Sequence, residues 1–377
     1  MPNALSTVPV TVLGAGSWGT ALAALASHRA STLIWARNAH SAATINQQHQ
    51  LPHYLPGVEL PTTLQATDDF ARAIDHVLGD DSQPGLIILG VPLAGLQDIC
   101  ARLHDYLPTQ RHHPLYILRT CKGFDPQTSQ LPHQITAQYL PAYSWLKTGT
   151  LSGPSFALEV VALTVASHAP DLAACTVSIL HGQSARIYSS TDLIGVEIGG
   201  ALKNISAIAC GASDGLALGT NARAALITRG LAEMQRIGTA LGGQAATFSG
   251  LTGLGDLVLT TTGDLSRNRQ VGLAIAQGKT LDAILASGLT AEGVRCAQAA
   301  LRIAQQHQIE APITQAVCDV LFHGLPPMDA VQQLLARIAR LEHSYDDQLR
   351  LNFYKKQHLP LPPAWRSFCS ARVFLKS

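Results

Sequence analysis

The chain carries little charge and almost no net charge. Asp, Glu, Lys and Arg make up 14% of its 377 residues, and 26 basic side chains against 25 acidic ones leave a formal charge of +1. Nothing in that balance points to nucleic acid or to an anionic membrane surface. With 47% hydrophobic residues, a disordered or coiled-coil chain is excluded too. The seven cysteines are an odd number and include no C-x-x-C pair. That spacing fits buried thiols in a reducing cytoplasm better than a disulfide framework or a zinc site. The opening MPNALSTVPVTVLG lacks a basic leader followed by an apolar core, so no signal peptide is expected. The longest apolar run, GLIILGVPLAGL, is too short and too rich in Gly and Pro for a membrane span. His112 and His113 are adjacent and unaccompanied by carboxylates at ligand spacing, so solvated histidines and no metal centre are expected.

Strand-like runs fill the first half. Val8 to Leu13 is β-branched and apolar, and STLIWARNAH follows it. GLIILGVP (85–92) and PLYILRTCKG (114–123) are nearly continuous apolar runs, as strands buried on both faces must be. KTGTLSGPSFALEV and RIYSS (186–190) complete the series. Helical patterns lie between them, which predicts an α/β domain over residues 1–190 with a doubly wound, mostly parallel, Rossmann-like sheet. Ligands of such sheets sit at the carboxyl ends of strands, which gathers Pro92, Lys122 and the loop Ser152 to Phe156 around one crevice. After Ser190 the periodicity turns helical, with Thr191 or Asp192 as N-cap and glycine-rich breaks near 211–219, 242–243 and 250–255. An all-helical C-terminal domain over 191–340 is expected. Residues 341–377, with prolines at 360, 362 and 363, are expected to be a poorly ordered tail.

Three segments carry chemistry. GAGSWG places Gly14, Gly16 and Gly19 in G-x-G-x-x-G spacing between a strand and an alanine-rich helix. Such glycines permit a tight turn, a close approach of backbone to a pyrophosphate, and close helix packing; any glycine turn could match the pattern, but here the flanks are in the required order. The acidic residue that would meet a ribose 2′-hydroxyl is missing, and Arg37 stands there, which favours a 2′-phosphate and hence NADP(H).

Lys203 has Gly199 at i−4, Gly200 at i−3 and Ala207 at i+4, a helix face almost without side-chain walls. Each glycine costs a helix interior roughly 0.8 to 1 kcal/mol relative to alanine. Close packing around a snorkelling lysine would explain that, and so would a groove admitting a flat coenzyme ring and a small substrate. Asn204 and Glu197 lie on neighbouring faces, placed to hold the lysine. A buried lysine titrates below its ordinary value and suits the proton transfer that accompanies hydride transfer. Asp256, beside Gly255 and before an apolar run, is placed for hydrogen bonding, for lysine pairing or for capping a helix. Finally, Ser266, Arg267, Asn268 and Arg269 put two guanidiniums, an amide and a hydroxyl together in an otherwise balanced chain, a pattern aimed at one small anion or else a serine-capped helix start with solvated arginines.

GAGSWGTALA, CKGFDP, LSGPSFALEV, DLIGVEIGGALKN, NARAALITRGLAEM, GLTGLGDLVLT and LSRNRQVG, in that order over about residues 8–340, resemble the bacterial NAD(P)-dependent sn-glycerol-3-phosphate dehydrogenase family. The resemblance implies reduction of dihydroxyacetone phosphate to sn-glycerol 3-phosphate for phospholipid synthesis, with NADP or NAD as coenzyme and NADPH favoured. It implies Lys203 as general acid/base with Asp256 beside it. Lys122, Gly153, Ser155, Ser266, Arg267 and Asn268 would meet the substrate. Gly14, Gly16, Ser17, Trp18, Gly19, Arg37, Lys122, Ala157, Arg267 and Glu292 would meet the coenzyme. The implied partners are a small-molecule phosphate, no nucleic acid and no membrane insertion, with a homodimer left open. Another two-domain dehydrogenase of a hydroxy acid or phosphate, or a non-catalytic dinucleotide sensor, would share the glycine pattern but not Lys203 together with LSRNR. Two features depart from the family: VALTVASHAP follows directly where several more residues are usual, and the chain continues past the usual end.

Overall fold

The computed structural model describes residues 6–337 apart from 80, 157, 158, 160, 183 and 290. The expectation for the tail from 341 onward therefore lies outside the described residues. Residues through Ala330 make one compact unit.

Eight strands form one sheet: β1 Ser6–Leu13, β2 Ala30–Trp35, β3 Gln65–Thr67, β4 Gly85–Leu89, β5 Leu115–Arg119, β6 Leu146–Ser152, β7 Val161–Ala166 and β8 Ala185–Ser190, in the order β3-β2-β1-β4-β5-β6-β7-β8. The first six in that order are parallel, a doubly wound arrangement. The period of two then sorts each strand between two cores. Val10, Val12, Leu86 and Ile88 face one side with the helices Ser17–Ser27, Ala39–Gln48 and Pro170–Leu180. Leu13, Ile87, Leu89 and Ile117 face the other with Phe70–Leu78, Leu96–His104 and Pro132–Tyr139. Three-residue β3 shows no pattern in sequence and was not among the expected runs.

The sheet reverses once. β6 and β7 are antiparallel because the stretch between Ser152 and Val161 is too short for a crossover, which needs a dozen or more residues. Their register sets Thr150 opposite Ala166, and β8 continues parallel to β7 with Ser190 opposite Ala166. Trp35, Leu13, Leu89, Arg119, Thr150, Ala166 and Ser190 thus form one row across the sheet, at the end where the parallel strands finish.

From that row the chain enters its helical half through Leu193–Gly215, a 23-residue helix almost wholly buried among its neighbours. Asp192 is the N-cap, its carboxylate accepting from Gly195 N at 2.9 Å and from Gln244 N at 2.8 Å and Thr247 Oγ1 at 2.6 Å. The break expected near 211–219 falls between Gly215, where this helix ends, and Gly219, where the helix Gly219–Ala240 begins, so Gly211 lies inside the helix. Gly211 is a crossing point, since a Cβ there would lie 2.0 Å from the carbonyl oxygen of Arg269, and one at Gly272 would lie 2.0 Å from that of Ile208. The two glycines let Leu193–Gly215 and Arg267–Ala276 cross backbone against backbone.

Gly211→Ala should therefore force the crossing apart and destabilise the fold by about 1–3 kcal/mol. The check is a lowered urea midpoint at unchanged slope; an unshifted midpoint would mean that the crossing yields freely.

Candidate functional site

The three glycines of the first turn are each required for a different reason. Gly14 has φ +119°, and a Cβ there would lie 2.7 Å from Gly90 O. A Cβ at Gly19 would lie 2.0 Å from Gly14 O, so the third glycine lets the helix Ser17–Ser27 close on the turn. Gly16 is the opposite case: no atom lies within 4 Å of where its Cβ would be. The protein leaves that space open beside the helix N-terminus, where no side chain caps the first amides and no acidic residue stands in the first turn. Such a cradle fits a dinucleotide pyrophosphate. Ser17 and Trp18 are half-buried along it, and Ser17 Oγ donates to Tyr54 O at 2.7 Å. Arg37 is exposed just past β2, and the following helix is capped by Asn38, with no carboxylate between them.

The second cluster centres on Asp256, a fully buried residue that opens the helix Asp256–Thr262 after the π-helical turn Leu251–Gly255. Lys203 Nζ donates to its Oδ1 at 2.5 Å, and Lys122 Nζ to its Oδ2 at 2.7 Å. Lys122 also donates to Gly153 O at 3.2 Å. Thr260, one turn after Asp256, accepts from Lys203 Nζ at 2.8 Å while its hydroxyl donates to Asp256 O at 2.6 Å. Thr260 was missed in sequence; its i+4 spacing from Asp256 was the available signal.

Burial pulls the Lys203 ammonium down to about 8, helped by Lys122 and opposed by Asp256. Burial alone would raise the Asp256 carboxyl, but Lys122 and then Lys203 outweigh it and hold the group below its ordinary value. Glu292 is pushed up by burial, against the pull of Lys122, Lys203 and Arg267.

The structure chooses between the two readings of the lysine helix's bare face and corrects one expectation beside it. The bare face is not open: a Cβ at Gly199 would lie 2.4 Å from Thr252 O, and one at Gly200 would lie 3.1 Å from Ser152 Oγ and 3.3 Å from Lys122 Cδ. Close packing of the π-helical turn and passage for the Lys122 stem explain the glycines, the first of the two alternatives the sequence left open. Glu197 does not hold Lys203; it points to Arg119 and His133.

The basic cluster divides. Ser266 caps the helix Arg267–Ala276, accepting from Arg269 N at 3.3 Å. Arg267 is exposed at the first helical position. Asn268 is buried with its amide engaged at both ends, donating to Asn204 Oδ1 at 3.0 Å and accepting from Gly293 N at 2.9 Å. Arg269 turns away to Asp214 and Asp264, both at 2.9 Å. Asn204 Nδ2 reaches Gly200 O at 3.3 Å and Glu292 Oε2 at 3.5 Å, which links this group to the lysine helix. Gly153 turns the chain at φ +137°, and half-buried Ser155 follows it. Ala157 lies outside the described residues.

The comparisons with known proteins agree on one family. Residues 9–174 match the family model described as NAD-dependent glycerol-3-phosphate dehydrogenase N-terminus, and residues 192–332 match the C-terminus. A glycerol-3-phosphate dehydrogenase (NAD(P)+) of Burkholderia orbicola (strain MC0-3) is 52% identical over 339 residues, which cover 88% of this chain and 99% of that protein. The protein of the same name from Burkholderia cenocepacia (strain HI2424) gives the same figures. A crystal structure of glycerol-3-phosphate dehydrogenase from Coxiella burnetii, 36% identical, superposes with a TM-score of 0.78 over 88% of this chain and 99% of that one.

Asp256→Asn would leave two buried ammoniums without their counter-ion, a loss of about 3–5 kcal/mol in stability at neutral pH. Because the wild-type carboxyl titrates below its ordinary value, its contribution is present above that value and is lost as pH falls through the lowered one. Urea midpoints of the two proteins should therefore converge in acid; a constant gap would contradict the shared-carboxylate geometry.

Proposed function

The chain belongs to the NAD-dependent glycerol-3-phosphate dehydrogenase family, and on that premise we propose that it interconverts dihydroxyacetone phosphate and sn-glycerol 3-phosphate with Lys203 as the general acid/base. The single observation that supports this reading is the convergence of Lys122 and Lys203, from the two halves of the chain, on one buried carboxylate. NADP or NAD, when bound along the Gly14–Gly19 cradle, supplies or accepts the hydride. Lys203, near 8, is protonated at neutral pH and can deliver a proton to the carbonyl oxygen as it becomes a hydroxyl. Lys122 adds a second ammonium that stabilises charge developing on the same oxygen. Asp256 orients both, and Thr260 fixes the direction of the Lys203 ammonium. Arg267, exposed at a helix N-terminus, supplies the guanidinium for the phosphate, with Ser266 holding that terminus.

Residues 1–190 on this reading carry the coenzyme and 191–340 the substrate chemistry. The free cysteines among the described residues, 100, 121, 175, 210, 296 and 318, suit a reducing cytoplasm, and the product feeds glycerophospholipid synthesis.

Mixing the protein with dihydroxyacetone phosphate and NADPH should discharge the reduced-nicotinamide absorbance; a coenzyme-binding protein that never turns over would favour the sensor reading instead. Reduction should fall as pH rises through about 8, where Lys203 loses its proton, and oxidation of glycerol 3-phosphate should rise through the same value. Lys203→Ala should lower kcat by about 10²- to 10⁴-fold with coenzyme binding retained, and a near-wild-type rate would remove Lys203 from this role.

Arg37→Ala should raise the KM for NADPH by roughly tenfold, about 1.4 kcal/mol, and leave that for NADH nearly unchanged. Equal effects on both would detach Arg37 from the 2′-phosphate.

A further inference from the structure

Arg119, the last residue of β5, is fully buried. Its Nε lies 3.4 Å and its Nη2 3.3 Å from Glu197 Oε1, while Nη1 and Nη2 make no hydrogen bond. The other carboxylate oxygen of Glu197 accepts from His133 N at 3.1 Å and from His133 Nδ1 at 2.7 Å. A desolvated pair of this kind adds little stability, because the cost of taking both charges out of water offsets their attraction. Its place in the chain suggests another use.

Arg119 lies three residues before Lys122 on one segment. Glu197 lies six residues before Lys203 on one helix, about 9 Å along its axis. Thr120 Oγ1 ties the first segment to Leu89 O at 2.9 Å, and Gly200 lets the Lys122 stem pass the second. The two lysine-bearing segments thus meet twice, at Arg119–Glu197 and at Asp256. His133, at the start of the helix Pro132–Tyr139, fixes the rotation of the Glu197 carboxylate.

We infer that Arg119 and Glu197 are positioning residues: their bridge sets the spacing and rotation of the two segments so that Lys122 and Lys203 both reach Asp256. Neither touches the reacting atoms. The inference rests on the proposed use of the two lysines.

The test compares full-length wild type, Glu197→Gln and the doubly neutral Arg119→Met/Glu197→Gln in the dihydroxyacetone phosphate assay, with NADPH binding followed by its fluorescence and folding by urea midpoint. A misplacement of about 1 Å can cost up to 10²-fold in rate. Both variants should therefore lose roughly 10- to 100-fold in kcat, with NADPH affinity within about twofold of wild type. The double variant carries no orphaned buried charge, so it keeps the test open if Glu197→Gln fails to fold. Wild-type kcat in the double variant would overturn the inference, since any defect of Glu197→Gln would then belong to the unpaired guanidinium. Wild type without turnover would sink the proposed function and this inference together; variants as active as a working wild type would sink this inference alone.

Discussion

A single carboxylate shared by two ammoniums is the constraint around which the rest of the molecule is arranged. Asp256 is fully buried, and a buried charge persists only when paired and hydrogen-bonded. Its partners come from opposite halves: Lys122 from the loop after β5, Lys203 from the helix Leu193–Gly215. The π-helical turn before Asp256, the glycines at 199 and 200 and the threonine at 260 are all placed by the need to bring these three groups together. Two ammoniums on one carboxylate leave these three groups with a formal excess of one positive charge, which suits an anionic substrate. The same burial that favours the neutral form of Lys203 is opposed by Asp256, and the balance leaves the lysine close to neutral pH, where it can both give and take a proton.

The coenzyme cradle works by different physics. Gly14 and Gly19 are glycine because backbone fills the space a side chain would need, whereas Gly16 is glycine although nothing fills it. A position kept empty at a helix N-terminus is explained by what approaches from outside, and a dinucleotide phosphate is the ligand whose charge and shape match.

Much of this was legible in the sequence, and what was not has physical reasons. The apolar runs marked the long strands because both faces of a parallel strand are buried, while β3, with three residues, is too short to show a period. Lys203 stood out because two glycines beside it violate helix propensity. The sequence left two purposes open, close packing or a ligand groove, since it does not reveal whether backbone or ligand occupies a vacated face. The same limit applies to Gly211, whose role as a helix crossing the sequence did not show. In Ser266–Arg269 the local clustering of side chains suggested one shared target. A helix sends successive residues to different faces, so Asn268 goes inward, Arg269 sideways to Asp214, and Arg267 outward.

The reversal between β6 and β7 also sets where the helical half leaves the sheet. Because β8 finishes in the same row as Arg119, the helical half springs from the sheet at the level of the ligand edge. Lys203 then stands only ten residues beyond Leu193, about 15 Å along the helix, whereas eight strands span roughly 35 Å. The chain thus carries Lys203 to the edge where β5 delivers Lys122 without first crossing the width of the sheet.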